Sequence, residues 1–93
     1  MGSNIMSKGG NLKGKIFFFD GNRQNAMKAV NEITELYDCG YYQNSEGDFY
    51  LEVLTDVAGT IRVEKNQYLF LGKDLNGNEV VKVLDKEEYK KLF

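Results

Sequence analysis

Cys39 is the only thiol in a chain of 93 residues that holds no histidine, tryptophan or proline. The missing imidazole removes the commonest general base, the commonest metal ligand and every Ser-His or Cys-His nucleophile. Paired carboxylates are the acid-base chemistry that remains, but the fourteen acidic residues lie at scattered, surface-like positions that single out no pair. A lone thiol builds no zinc site without other soft ligands. Read at the end of a helix, beside Gly40, it also sits where the helix dipole disfavours thiolate, so Cys39 is expected to be a buried structural residue. The expectation is a protein with no catalytic residue, no metal and no cofactor.

Two stretches resemble binding motifs in part. Asp74, Asn76 and Asn78 match the alternating oxygen ligands of a calcium-binding EF-hand loop. That loop requires glycine at its sixth position and a bidentate glutamate at its twelfth, where this chain has Glu79 and Asp85, so a hairpin turn is the expected reading. Lys13-Gly14-Lys15-Ile16-Phe17-Phe18-Phe19 resembles the aromatic strand of an RNA-recognition motif. Ile16 stands where that motif takes glycine or alanine, and Asp20 replaces its last aromatic, so a core strand accounts for it better. Gly9-Gly10 and Gly14 precede a strand, whereas phosphate-cradling loops follow one.

What remains is a surplus of ring-bearing residues on β structure. Phe17, Phe19, Tyr50, Tyr68 and Phe70 are expected on a sheet face that one helix leaves open. The C-terminal residues Tyr89, Leu92 and Phe93, closure of the sheet on itself, or a partner must cover them. Tyr41 and Tyr42 adjoin in one strand, and neighbouring strand residues point to opposite faces, so one of the two faces outward. Tyr41, Tyr42, Asp48, Tyr50 and Glu52 are therefore the candidate partner-binding residues. The expected function is a small non-catalytic protein-binding module whose partner is another protein, and homodimerisation through the exposed sheet is compatible with this reading and with its alternatives.

Charge and composition weigh the alternatives. A formal charge of −2 and a pI of about 5.1 provide no positive field to gather phosphate polymers, which counts against nucleic acid. A single-stranded nucleic-acid or nucleotide-like ligand would have to stack on the aromatic face, with Lys13, Lys15, Arg62, Lys65 and Lys73 supplying charge. A small enzyme or enzyme subunit would need a carboxylate of shifted pKa in a pocket. Ten lysines against two arginines, with nine asparagines, point to an AT-rich bacterial, plasmid or phage genome, and small size, absent catalytic groups and surplus tyrosine suit an inhibitor or modulator carried by a mobile element. One cysteine in so small a domain favours the cytoplasm, and no apolar run approaches the roughly 20 residues that span a bilayer.

These residues are positioned by one domain, residues 15–93, behind a polar, glycine-rich stretch, residues 1–14, read as a disordered leader that is partly a cloning remnant. Lys15 to Asp20 is read as a central strand, and Asn22 or Asn25 as the cap of a helix from about Gln24 to Asp38 that ends at a left-handed Gly40. Tyr41–Gln43 and Phe49–Leu54 form a hairpin, and Thr60–Glu64 a second one with Tyr68–Leu71. Asp74 to Asn78 turns the chain into a strand Glu79–Leu84, and Asp85 opens a capping box for a helix from Lys86 to Phe93. The fold class expected is α+β, β-α-β-β-β-β-β-α, a curved antiparallel sheet of five to six strands under one long helix and a short C-terminal one. Its last three strands are free to curl into a barrel-like meander.

Overall fold

In the computed structural model, which describes residues 2–93, the chain runs β1 (Ser3–Met6), β2 (Leu12–Phe19), α1 (Arg23–Ile33), β3 (Asp38–Gln43), β4 (Phe49–Thr55), β5 (Gly59–Val63), β6 (Gln67–Asp74), β7 (Glu79–Leu84) and α2 (Lys86–Leu92). The fold is α+β, its strand pairings are antiparallel, and it has one main helix and a short C-terminal one. The strands form two sheets, β1-β2-β6-β7 and β3-β4-β5, instead of a single curved one.

The division is made at Glu64-Lys65-Asn66-Gln67, where Asn66-Gln67 was expected to separate the two strands of a β5–β6 hairpin. Asn66 takes a left-handed φ of 68°, and its backbone N–H donates to Phe19 O at 2.8 Å. That bond hands the chain to β2, so β6 pairs with β2 and β7 while β5 pairs with β4. A meander of the last three strands is thereby ruled out.

Strand β1 lies inside the stretch expected to be a disordered leader, and β2 begins at Leu12 instead of Lys15. Ser7 locks the connection: its Oγ accepts from Leu12 N at 2.9 Å and its own N–H donates to Leu12 O at 2.9 Å. Gly9 and Gly10, with φ of 83° and 74°, carry the intervening turn, and a glycine-rich turn has the composition of a linker. Met1 lies outside the described residues.

Helix α1 starts as its sequence predicts, with Asn22 Oδ1 accepting from Asn25 N at 2.8 Å. It stops at Ile33, earlier than expected. Leu36 and Tyr37 then donate to Ile33 O at 2.9 Å each, which swings Tyr37 onto the core and lets its hydroxyl donate to Glu79 Oε2 at 3.1 Å. Burial first, and Glu79 second, raise the Tyr37 pKa. Gly40 is consequently a residue of β3 and not a helix cap.

The core lies between the sheets. Phe17, Phe19, Leu69 and Leu71 from the larger sheet meet Leu51, Val53 and Val63 from the smaller, and α1 closes the side with Ala26, Ala29 and Ile33. The opposite face of the larger sheet is covered by α2, which the Asp85–Glu88 capping box starts. Tyr89 stacks on Tyr68 at 4.1 Å with the planes 3° apart, Phe93 meets Phe70 at 5.1 Å, and Phe18 meets Tyr68 at 4.9 Å. Phe17 and Phe19 therefore do not share a face with Tyr68 and Phe70. The β2–β6 register sets Phe18 opposite Tyr68 and Phe17 opposite Leu69, so alternation turns Phe17 and Phe19 inward. Among the described residues no helix is long and apolar enough to cross a membrane.

Candidate functional site

Alternation sorts the smaller sheet into a core side and an outer side. Cys39, Tyr41, Leu51, Val53, Ile61 and Val63 pack on the core, which leaves Gly40, Tyr42, Tyr50, Glu52, Leu54 and Arg62 on the outer face. Register then makes neighbours of them, because Tyr42 pairs with Tyr50 and Glu52 with Arg62.

The two tyrosine rings lie 5.8 Å apart, and the Arg62 guanidinium carbon sits 3.6 Å from the Tyr50 ring centroid. Arg62 Nη2 also reaches Glu64 Oε1 at 3.6 Å, so the guanidinium is held over the ring from two sides. Tyr42 leans back along its strand over Gly40. A Cβ at position 40 would stand 3.0 Å from the Tyr42 hydroxyl oxygen, so the missing side chain makes room for the ring. Beside it, Asp38, Cys39, Gly40, Tyr42, Glu52, Leu54 and Thr60 line a shallow depression of about 310 Å³.

Neither helix covers this face, since α1 lies on the core side and α2 packs on β6 and β7. Tyr42 is 50 % exposed and Leu54 54 %. Asp38, Glu52 and Glu64 face one cation there, Arg62, so the surface is acidic around its rings.

Of the candidate partner-binding residues, Tyr42, Tyr50 and Glu52 come together here. Tyr41 turns inward and packs on Phe49 at 5.9 Å. Asp48 sits at the β3–β4 turn, 3.7 Å from Lys65 Nζ. Arg62 and Leu54 belong to the face although neither was in the candidate set. Leu54 shares the strand parity of Tyr50 and Glu52, a signal visible in the sequence. Arg62 was hidden because the sequence pairs β5 with β6 and gives no signal that β4 lies along its other edge, so Glu52 and Tyr50 are not read as its neighbours.

Cys39 points to the core, half-buried, and burial pushes its thiol up to about 11. The cause is desolvation and not a helix end, because α1 stops at Ile33. The raised value ties stability to the neutral thiol: the contribution is complete below pH 9 and is lost as pH rises through about 11. Iodoacetamide should accordingly label native Cys39 at pH 8 much more slowly than it labels the urea-unfolded chain. Equal rates would contradict this burial.

A second concavity, an open cleft of about 650 Å³, is lined by Ile5, Met6, Lys13, Lys15, Leu36 and Leu71, together with Asn4 and Gly14. Its lining has no carboxylate, hydroxyl or thiol. Lys13 and Lys15 lie in it, with Lys73 opposite Lys13 in the β2–β6 ladder, whereas Arg62 belongs to β5 and Lys65 to the connection from β5 to β6. The five cations expected to attract phosphate therefore form no single patch. Asp74, which resembled a calcium ligand, accepts from Asn76 N at 2.9 Å and Asn78 N at 3.0 Å and so fixes the β6–β7 turn. Comparison with known proteins brought no match to a family model, a curated protein or a solved structure.

Proposed function

We propose that this chain is a small non-catalytic module that binds another protein through the outer face of β3-β4-β5. The observation that carries the reading is the uncovered cluster of Tyr42, Tyr50, Arg62 and Leu54. Tyrosine and arginine are the residue types that dominate interface energetics, and here both are held in fixed geometry before a partner arrives. The carboxylates of Asp38, Glu52 and Glu64 around the rings select a partner that presents lysine or arginine beside aliphatic groups. Such a module acts as an inhibitor or modulator by covering the surface it binds. A lone, half-buried thiol fits a reducing compartment, and we place the protein in the cytoplasm.

The test is recovery of a partner from the native cell with wild type and with a Tyr42→Ala/Tyr50→Ala double variant, using Phe18→Ala as the control. Phe18 is 44 % exposed but lies on the other sheet. The double variant should bind the recovered protein at least about tenfold more weakly, as expected for two anchors of hot-spot type. Its unfolding midpoint should move little, because both rings lie on the outer face. Undiminished binding by the double variant would discard the proposal.

A further inference from the structure

The face is one asset of the smaller sheet, and its free edge is another. Among the described residues, strand β3 pairs only with β4. Asn44 N donates to Asp48 O at 2.9 Å, so Asn44 points its backbone at β4, and by alternation so do Tyr42, Gly40 and Asp38. The backbone groups of Cys39, Tyr41 and Gln43 point the other way and have no partner among the described residues. Natural sheets blunt such an edge with lysine, proline or a bulge. Asp-Cys-Gly-Tyr-Tyr-Gln has none of these, and its single charge, Asp38, stands at one end.

We propose that this edge pairs, antiparallel, with β3 of a second copy about a two-fold axis at Tyr41. Symmetry and parity choose that register. An axis perpendicular to the sheet keeps outer residues opposite outer ones, and only an axis at Tyr41 uses all three outward-pointing residues. Tyr41 then pairs with itself, and Cys39 with Gln43 in both directions, giving three hydrogen-bonded pairs of two bonds each. An axis at Gly40 leaves Gln43 unpaired. In the Tyr41 register Tyr42 stands opposite Gly40 of the second copy, where no side chain obstructs the ring, and Asp38 stands opposite the neutral Asn44. No like charges meet.

Helix α1 supplies an independent observation. Glu32 Oε2 accepts from Gly2 N at 2.9 Å, which marks the flank of α1 that faces β1 and β2. Met27 lies about 140° around the helix from Glu32, on the flank toward β3, and is 43 % exposed. Pairing the β3 edges brings the two Met27 flanks toward each other under the new ladder and gives this apolar side chain a neighbour. The product is a continuous six-stranded sheet with both tyrosine faces on one side.

Light scattering on the full chain across a dilution series, with three forms of the protein, tests the proposal. Wild type should show twice the 10.6 kDa chain mass. Gln43→Pro removes an N–H that points away from β4, so the monomer loses no ladder bond, and its mass should halve. Gln43→Cys places a new thiol opposite Cys39 of the second copy, and mild oxidation should yield a covalent dimer. Wild type should not cross-link, because the two Cys39 residues lie four positions apart along the ladder, roughly 13 Å and beyond disulfide reach. A monomeric wild type overturns the proposal and leaves the face-binding reading intact. A folded Gln43→Pro dimer moves the interface elsewhere, and if that variant does not fold, the Gln43→Cys cross-link decides. A dimer in which that thiol fails to cross-link, or a wild type that joins Cys39 to Cys39, overturns the register.

Discussion

Phe19→Ala is expected to lower the thermal midpoint by about 20 °C, the largest single-residue effect in the protein. Phe19 is 1 % exposed and belongs to the core that both sheets and α1 share. Emptying a phenylalanine site in such a core costs about 3–5 kcal/mol, because transfer free energy is lost and the cavity collapses only in part. A domain of this size has a total stability of about 5–15 kcal/mol, and each kcal/mol moves the midpoint by about 4–8 °C. Circular-dichroism melts of the two forms give the answer. A fall of less than about 5 °C would mean that the two sheets do not depend on a common interior.

The second large effect concerns α2. Its seven residues are too few to persist as a helix without tertiary contacts, so docking must hold it. Docking consists mainly of Tyr89 on Tyr68 and Phe93 on Phe70. The double change Tyr89→Ala/Phe93→Ala removes both contacts and should cost about 3 kcal/mol, from lost ring pairs and lost burial. It should also uncover Phe18, Tyr68, Phe70 and Ile16 as one apolar patch, read as a strong rise in binding of a hydrophobic dye and as aggregation on warming. Wild-type dye binding by this variant would show that the rings are covered by something other than α2.

These two sites differ in how far the sequence reveals them. The capping box of α2, the Asn22 cap of α1 and the turns at Asn44–Asp48 and Asp74–Asn78 are legible because each depends on residues within four or five positions. The strand limits of β7 and the hairpin of β3 with β4 follow from those turns. The partition into two sheets was not legible, because it depends on Asn66 N–H reaching Phe19 O, a contact between residues 47 positions apart. Without that pairing the parity of Phe17 and Phe19 relative to Tyr68 and Phe70 has no reference. Alternation alone states only that successive residues part company.

The candidate site shows the same limit. Alternation required one of Tyr41 and Tyr42 to face outward, and the strand's own core residues decided for Tyr42. Tyr50, Glu52 and Leu54 were legible as one face of β4. Arg62 was not, since its place over Tyr50 requires β5 beside β4. Ser3–Met6 is not legible for a different reason: two polar residues followed by two apolar ones, ahead of a glycine-rich turn, show no alternation that separates a strand from a tail.

The ladder between β2 and β6 has a kinetic meaning as well. Phe19 faces Gln67, so closing it brings together segments separated by about half of the chain, at an entropic cost of about 3.5 kcal/mol for a loop of roughly 50 residues. The β3-β4-β5 hairpins and the β6–β7 hairpin close over a few residues each and are rewarded at once. Assembly is therefore weighted toward a late capture of the N-terminal segment, and until that moment one edge of β6, with Leu69 and Leu71 along it, is the stretch of nascent protein most in need of shelter.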